Sequence, residues 1–217
     1  MADHLTCNIL DALVLKDDWG IELNTGTTLQ HGLTEKELAI LKGCLKNKAA
    51  AQEKLYKHFY GYAMSVALRY SRSQNESVEI LNESFFKVFT RLDKYDFNRS
   101  FRAWLRRIVI NTAIDYYRAN KKYQQSAEIT AAEDKEFDFD IVERLTAEEI
   151  LGLLQELPPH YQMVFNLYEI EGYSHKEISE KMNIPEGTSR SNLTRAKQKL
   201  REMVKQLYDK NYARTVR

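Results

Sequence analysis

The feature that most restricts the folds open to this chain is its shortage of chain breakers. In 217 residues the only prolines are Pro158, Pro159 and Pro185, and glycine is scarce at eight. An architecture of strands and tight turns needs a turn former every few residues, whereas a helix is interrupted by them. The expected fold is therefore all-α. Apolar content is ordinary for a globular protein, and no apolar run approaches the roughly 18 residues that a membrane span needs. The opening MADHLTCNIL lacks the basic segment and long apolar core of a signal peptide, so a cytoplasmic protein is expected. Cys7 and Cys44 have no metal-like spacing and read as reduced, structural thiols.

Helix boundaries can be placed from caps and periodicity. Thr34 and Glu37 form a capping box, after which Leu38, Leu41 and Leu45 share one helical face. A second helix is expected from about Ala49 to Tyr70, with Leu55, Phe59, Tyr62, Ala63 and Val66 inward. A third carries the stripe Val78, Leu81, Phe85, Val88, Phe89 and Leu92. Asp93 to Arg99 reads as a loop. Ser100 caps a fourth helix reaching about Lys122, whose apolar residues are Phe101, Trp104, Leu105, Ile108 and Ile114. Trp104 is expected in the core rather than as a stacking platform, and at least one of Tyr116 and Tyr117 should be buried. Beyond an acidic stretch, a second capping box at Thr146 and Glu149 opens another helical domain. Its first helix ends before Pro158. The next should run from Pro159 to Glu171, with Met163, Val164, Leu167 and Tyr168 on one side and Gly172 closing it.

Net charge is only +1, but the charges are segregated. Arg99, Arg102, Arg106, Arg107, Arg118, Lys121 and Lys122 face a lone Asp115. Arg190, Arg195, Lys197, Lys199, Arg201 and Lys205 face a lone Glu202. Between these blocks Glu128 to Glu149 is strongly acidic. From charge alone, two nucleic-acid contacts and two solvated helix faces are equally open readings.

The segment YSHKEISEKMNIPEGTSRSNLTRAKQKL favours the former, because it reads as a helix-turn-helix. Ser174 and Glu177 box the first helix, and Ile178 and Met182 face its core. Asn183 stands at a sharp turn, where asparagine tolerates a left-handed backbone. Ile184 plugs the angle between the helices. Pro185 and Glu186 suit the first turn of the second helix. Leu193, Ala196 and Leu200 then point inward. That leaves Thr188, Arg190, Ser191, Thr194, Arg195 and Lys197 outward, residue types that pair with base edges or phosphates in a major groove.

The longer run ELPPHYQMVFNLYEIEGYSHKEISEKMNIPEGTSRSNLTRAKQKLR resembles the promoter-binding region four of extracytoplasmic-function (ECF) sigma factors. The resemblance implies that Arg190, Ser191, Thr194 and Arg195 read the minus-thirty-five element. Ser189 stands where the family usually has valine, and Asn192 where a basic residue is common. The first departure is expected to loosen helix packing slightly and the second to remove a phosphate contact. Such a helix-turn-helix also occurs in response-regulator output domains, the competing reading. The segment NESFFKVFTRLDKYDFNRSFRAWLRRIVINTAIDYYR decides against that, since it resembles region two of the same sigma class, with SFRAWLRRI followed by Asn111, Asp115 and Arg118.

Several expectations follow from the resemblance. Asp96, Phe97, Asn98, Arg99 and Ser100 form the loop that captures a flipped minus-ten base, and Asn111 contacts a base from the next helix. Arg102, Arg106 and Arg107 track the backbone, as trapping one strand requires polar and aromatic surface beside a basic track. Glu79, Asn82, Glu83, Phe86 and Lys87 of the third helix would dock on the clamp helices of the polymerase's largest subunit, and region four on its flap. The acidic segment would thread toward the polymerase channel. The implied partners are core RNA polymerase, promoter DNA in duplex and single-stranded form, and an anti-sigma or recruiting protein.

The expected organisation is thus two small helical domains joined by an acidic flexible linker. Residues 1–33 form an extension, 34–123 region two, 124–145 the linker, 146–208 region four and 209–217 a tail. Leu5, Ile9, Leu10, Leu13, Val14 and Leu15 give the extension an apolar cluster suited to a partner. No enzymatic role, cofactor or metal is expected. FDFDIVE lacks the glycine and ligand spacing of a calcium loop, and His4, His31, His58, His160 and His175 show no ligand pairing. No phosphate-binding glycine loop or nucleophile elbow is present.

Overall fold

The computed structural model describes residues 33–124 and 146–215, with side chains described over 33–120 and 146–207. The expectations for the extension, the acidic linker and Cys7 fall outside the described residues. The described part forms two compact helical units that divide between Tyr116 and Tyr117. Apart from a lone bridge at Thr34, it contains no β-structure. None of its helices is long and apolar enough to cross a membrane.

The first unit is built from α1 (Glu35–Leu45), α2 (Ala49–Leu68), α3 (Gln74–Arg91) and most of α4 (Phe101–Gln124). Thr34 and Glu37 form the expected reciprocal box at the start of α1. The helix ends where Asn47 takes a left-handed backbone at φ 53°. There α1 and α2 approach closely: a methyl group on Gly43 would lie 2.7 Å from the Ala51 Cβ, so only glycine fits without a backbone shift. Ser73 caps α3 by accepting from the Glu76 N–H. The core gathers Leu41, Leu55, Phe59, Leu81, Phe85, Phe101 and Leu105, each at most 2% exposed. Burying side chains of this size contributes about 1.5–3 kcal/mol apiece.

Periodicity misplaced some of this core. Leu45 is 42% exposed, because α1 ends there, while Cys44 and Glu37 turn inward. Ile80 is buried whereas Val78 and Phe89 are half-buried, so the α3 stripe is rotated relative to the expected one. On α4, Val109, Ile110 and Ala113 join the core, while Ile108 and Trp104 are only half-buried; Tyr117, just past the unit boundary, is buried as well.

The second unit begins with the Thr146–Glu149 box of α5 (Ala147–Glu156). Leu157 is extended ahead of Pro158, as a pre-proline residue should be. Then α6 (Pro159–Phe165) widens into a π-turn over Asn166–Ile170 instead of continuing as regular helix. Gly172 closes it at φ 73°, and the Tyr173 N–H donates to the Leu167 carbonyl at 2.9 Å. Finally come α7 (His175–Met182) and α8 (Glu186–Thr215), the latter running on through the stretch expected as a tail. Ile178, Met182, Leu193, Ala196 and Leu200 are buried as expected. Tyr168, expected inward, is 36% exposed and stacks on His175.

Candidate nucleic-acid interface

A cluster of rings sits beneath the loop expected to meet the minus-ten strand. Tyr95 is 4% exposed, its ring 5.0 Å from Phe97, 5.4 Å from Phe101 and 5.1 Å from Trp104. Its hydroxyl donates to the Arg99 carbonyl, tying the far end of the loop to the core. Burial, Asp96 and Glu37 all push that phenol further up, so it remains a donor at neutral pH. Within the loop Asp96 accepts from the Asn98 N–H at 3.0 Å and lies 3.4 Å from Arg99 Nε. The Asn98 N–H foremost, and then Arg99, holds the Asp96 carboxyl below its usual range. Asp96, Asn98, Arg99 and Ser100 are exposed, while Phe97 is half-buried against Tyr95. Ser100 Oγ accepts from the Ala103 N–H at 3.4 Å at the start of α4.

Along α4, Arg107 and Asn111 are exposed and Arg102 and Arg106 half-buried. Arg102 lies over the Tyr62 ring at 5.3 Å, and the Tyr62 hydroxyl donates to the Arg102 carbonyl at 3.3 Å. Tyr95 falls in the Asp93–Arg99 segment that reads as a loop, yet it is buried. The spacing of Tyr95, Phe97 and Phe101 was the available signal for an aromatic floor.

Of the five α3 residues expected to meet a protein, four lie exposed on the solvent side. Phe86 is 62% exposed, with Glu79, Asn82 and Glu83 exposed around it. Lys87 is partly covered, 3.2 Å from Asp115 and 3.8 Å from Glu83. The neighbouring helix enlarges this surface, since Tyr56 donates to Asn82 Oδ1 at 3.0 Å and Tyr60 is 38% exposed. An exposed ring within a polar rim has the make-up of a helix-docking surface.

In the second unit α7 and α8 meet as a helix-turn-helix. Ser174 and Glu177 form a reciprocal capping box, and Asn183 takes the left-handed conformation at φ 52°. The turn is fastened by Ser179, whose hydroxyl donates to the Ile184 carbonyl at 2.6 Å. Thr188, Arg190, Ser191, Thr194 and Arg195 are exposed on α8. Arg190 is ion-paired with Glu186 one turn earlier. Lys197 departs from the expected outward set. Its side chain is 21% exposed and lies 2.8 Å from Glu169, whose side chain is 6% exposed on the π-turn. Asn192 is also turned inward at 6% exposed, so its position does not face a groove. Ser189 is fully buried, and its hydroxyl is 3.0 Å from His175 Nδ1. A polar link thus joins the two helices where an apolar contact was the family expectation. Neither Glu169 nor His175 carries a local sequence signal, since each acts through a partner distant along the chain, Lys197 and Ser189 respectively.

The family model for Sigma-70 region 2 matches residues 55–123, and that for Sigma-70, region 4 matches residues 147–200. The ECF RNA polymerase sigma factor SigW of Bacillus subtilis (strain 168) is 31% identical over 145 residues, spanning 61% of this chain and 78% of that one. The ECF RNA polymerase sigma-E factor of Escherichia coli (strain K12) is 29% identical over 141 residues, spanning 59% of this chain and 74% of that one. Among solved structures, CnrH in complex with the cytosolic domain of CnrY is 18% identical with a TM-score of 0.41, covering 79% of this chain and 98% of that chain. The sigma factor RpoE in complex with the anti-sigma factor NepR from Bartonella quintana is 17% identical with a TM-score of 0.43, covering 70% and 96%.

Proposed function

Because this chain belongs to the ECF family of bacterial RNA polymerase sigma factors, we propose that its two units divide promoter recognition between them. As a sigma factor it binds core RNA polymerase and directs promoter-specific transcription initiation. In the proposed division, α8 reads the minus-thirty-five element in the major groove through Thr188, Arg190, Ser191, Thr194 and Arg195. The loop of Asp96, Phe97, Asn98, Arg99 and Ser100 takes up an unstacked minus-ten base, with Asn111 beside it. Arg102, Arg106 and Arg107 supply positive charge for the displaced strand. The aromatic floor under the loop supports the second assignment, since a base can be trapped only by a surface that does not itself yield.

The α3 face of Glu79, Asn82, Glu83, Phe86 and Lys87 docks on the clamp helices of the largest polymerase subunit, and the second unit on the flap. Residues 34–123 and 146–208 then act as regions two and four, with 124–145 as the acidic connection. Residues 1–33 serve a protein partner such as an anti-sigma factor. The protein works in the cytoplasm, without catalysis or cofactor.

The observation that carries this reading is the presence of matches to both sigma regions on one chain. A response regulator would need only the helix-turn-helix. Run-off transcription with core polymerase over a promoter library tests it. Specific transcripts should appear only when the chain is added. Duplex binding without any transcript would overturn the reading in favour of a regulator that is not a polymerase subunit.

A further inference from the structure

We propose that Lys197 and Glu169 form a strut that sets the pose of the recognition helix, and that Lys197 makes no contact with DNA. The proposal rests on reading α8 as the minus-thirty-five helix. Lys197 lies on the recognition helix within two residues of Arg195, yet its ammonium turns inward to Glu169 at 2.8 Å. Glu169 Oε1 is buried and accepts no hydrogen bond among the described residues, so the Lys197 ammonium is its compensating charge by ion pairing alone. A carboxylate with a side chain only 6% exposed would be costly without a compensating cation, so the lysine is held where it stands. Reaching a phosphate would strand that charge.

The other end of the strut is equally fixed. Glu169 belongs to the π-turn of Asn166–Ile170, whose first two residues, Asn166 and Leu167, are buried. A π-turn adds one residue to a helical turn and so re-aims the side chains that follow it. Here it presents Glu169 to α8. The Val164, Phe165 and Leu167 side chains nearby are buried, so this platform has little freedom. The link fixes α8 about its own axis, which decides whether Arg190 and Arg195 meet base edges squarely. Hydrophobic packing by Leu193, Ala196 and Leu200 alone tolerates small rotations, because it is non-directional.

The test compares duplexes carrying a cognate or scrambled minus-thirty-five element, bound by the full chain at two salt concentrations. Variants are Glu169→Gln, Lys197→Met, Lys197→Arg, the double Glu169→Gln/Lys197→Met, and Arg195→Ala, with circular dichroism melting to verify folding. Glu169→Gln and Lys197→Met should each reduce cognate-to-scrambled discrimination about tenfold, the worth of one bidentate base contact, with scrambled binding and its salt slope unchanged. The double variant should be no worse than either single, and Lys197→Arg should retain discrimination. If Lys197 touches phosphate instead, Lys197→Met lowers the salt slope by about one and weakens both duplexes alike, which overturns the proposal. Loss of discrimination in Arg195→Ala but not in Glu169→Gln also overturns it. If Arg195→Ala itself changes nothing, it is the assignment of α8 that fails. Should Glu169→Gln melt early, the charge-reversed pair Glu169→Lys/Lys197→Glu replaces it, and failure of that pair to regain discrimination over Lys197→Glu alone counts against the strut.

Discussion

Replacing Glu37 with glutamine should remove a pH-dependent share of the first unit's stability. Glu37 is 9% exposed. One carboxylate oxygen accepts from the Thr34 N–H at 2.8 Å and the Thr34 hydroxyl at 3.0 Å, and the other lies 3.0 Å from His58 Nε2. Burial by itself would raise the carboxyl. The bonds to His58 and Thr34 outweigh it and bring the value from 4.5 down to about 2. Such a displacement corresponds to about 3 kcal/mol in favour of the folded, ionised form. The folded value lies below the unfolded one. This stability is therefore complete above the unfolded value and drains away as pH falls through the folded one. Glutamine preserves the shape without the charge. In urea denaturation followed by circular dichroism, wild type and Glu37→Gln should differ by about 3 kcal/mol at pH 7, a gap closing by about 2 kcal/mol at pH 3. A gap that stays constant over that range would refute the reasoning, because it would make Glu37 a neutral cap and not a held charge.

Tyr95→Phe removes only the tether to the Arg99 carbonyl; it should cost about 1 kcal/mol in melting experiments while reducing promoter opening, read by permanganate reactivity, far more than polymerase binding. Phe86→Ser, together with Glu83→Arg, should weaken co-purification with core polymerase without lowering the melting temperature, since both side chains are exposed. Burial first, and then Arg190, lowers the His175 value from 6.5, against Glu186 and Glu169. Its contribution is thus present above the unfolded value and lost on acidification, so melting of the second unit should drop as pH falls below about 6.5 and His175→Gln should flatten that slope.

Features written in neighbouring residues were legible in the sequence. The boxes at Thr34, Thr146 and Ser174 need only a residue and its third successor, and Asn183 needs only its own backbone. The buried stripes of α7 and α8 followed from periodicity for the same reason. What escaped depended on partners distant along the chain. Leu45 has the right spacing for the core, but it is the last residue of α1 and is left 42% exposed. Lys197 has the spacing of an outward residue until Glu169, across the unit, draws it in. Ser189 was expected to weaken the helix contact, and its hydroxyl instead meets His175, fourteen positions earlier. Tyr95 lies in an irregular segment without helical periodicity, where its spacing to Phe97 and Phe101 is the one local signal of an inward ring.

The ion pair between Glu186 and Arg190 bears on how the recognition helix chooses its targets. If α8 reads the minus-thirty-five element as proposed, Arg190 would reach DNA already paired with Glu186. A lone phosphate offers it an exchange of like for like, while a guanine edge offers two acceptors in one plane. On that proposed reading, Glu186 would act as an internal competitor that the correct base displaces most easily. Added salt loosens this competitor as it screens the phosphates, so Arg190 should contribute less to the salt sensitivity of binding than an unpaired arginine would.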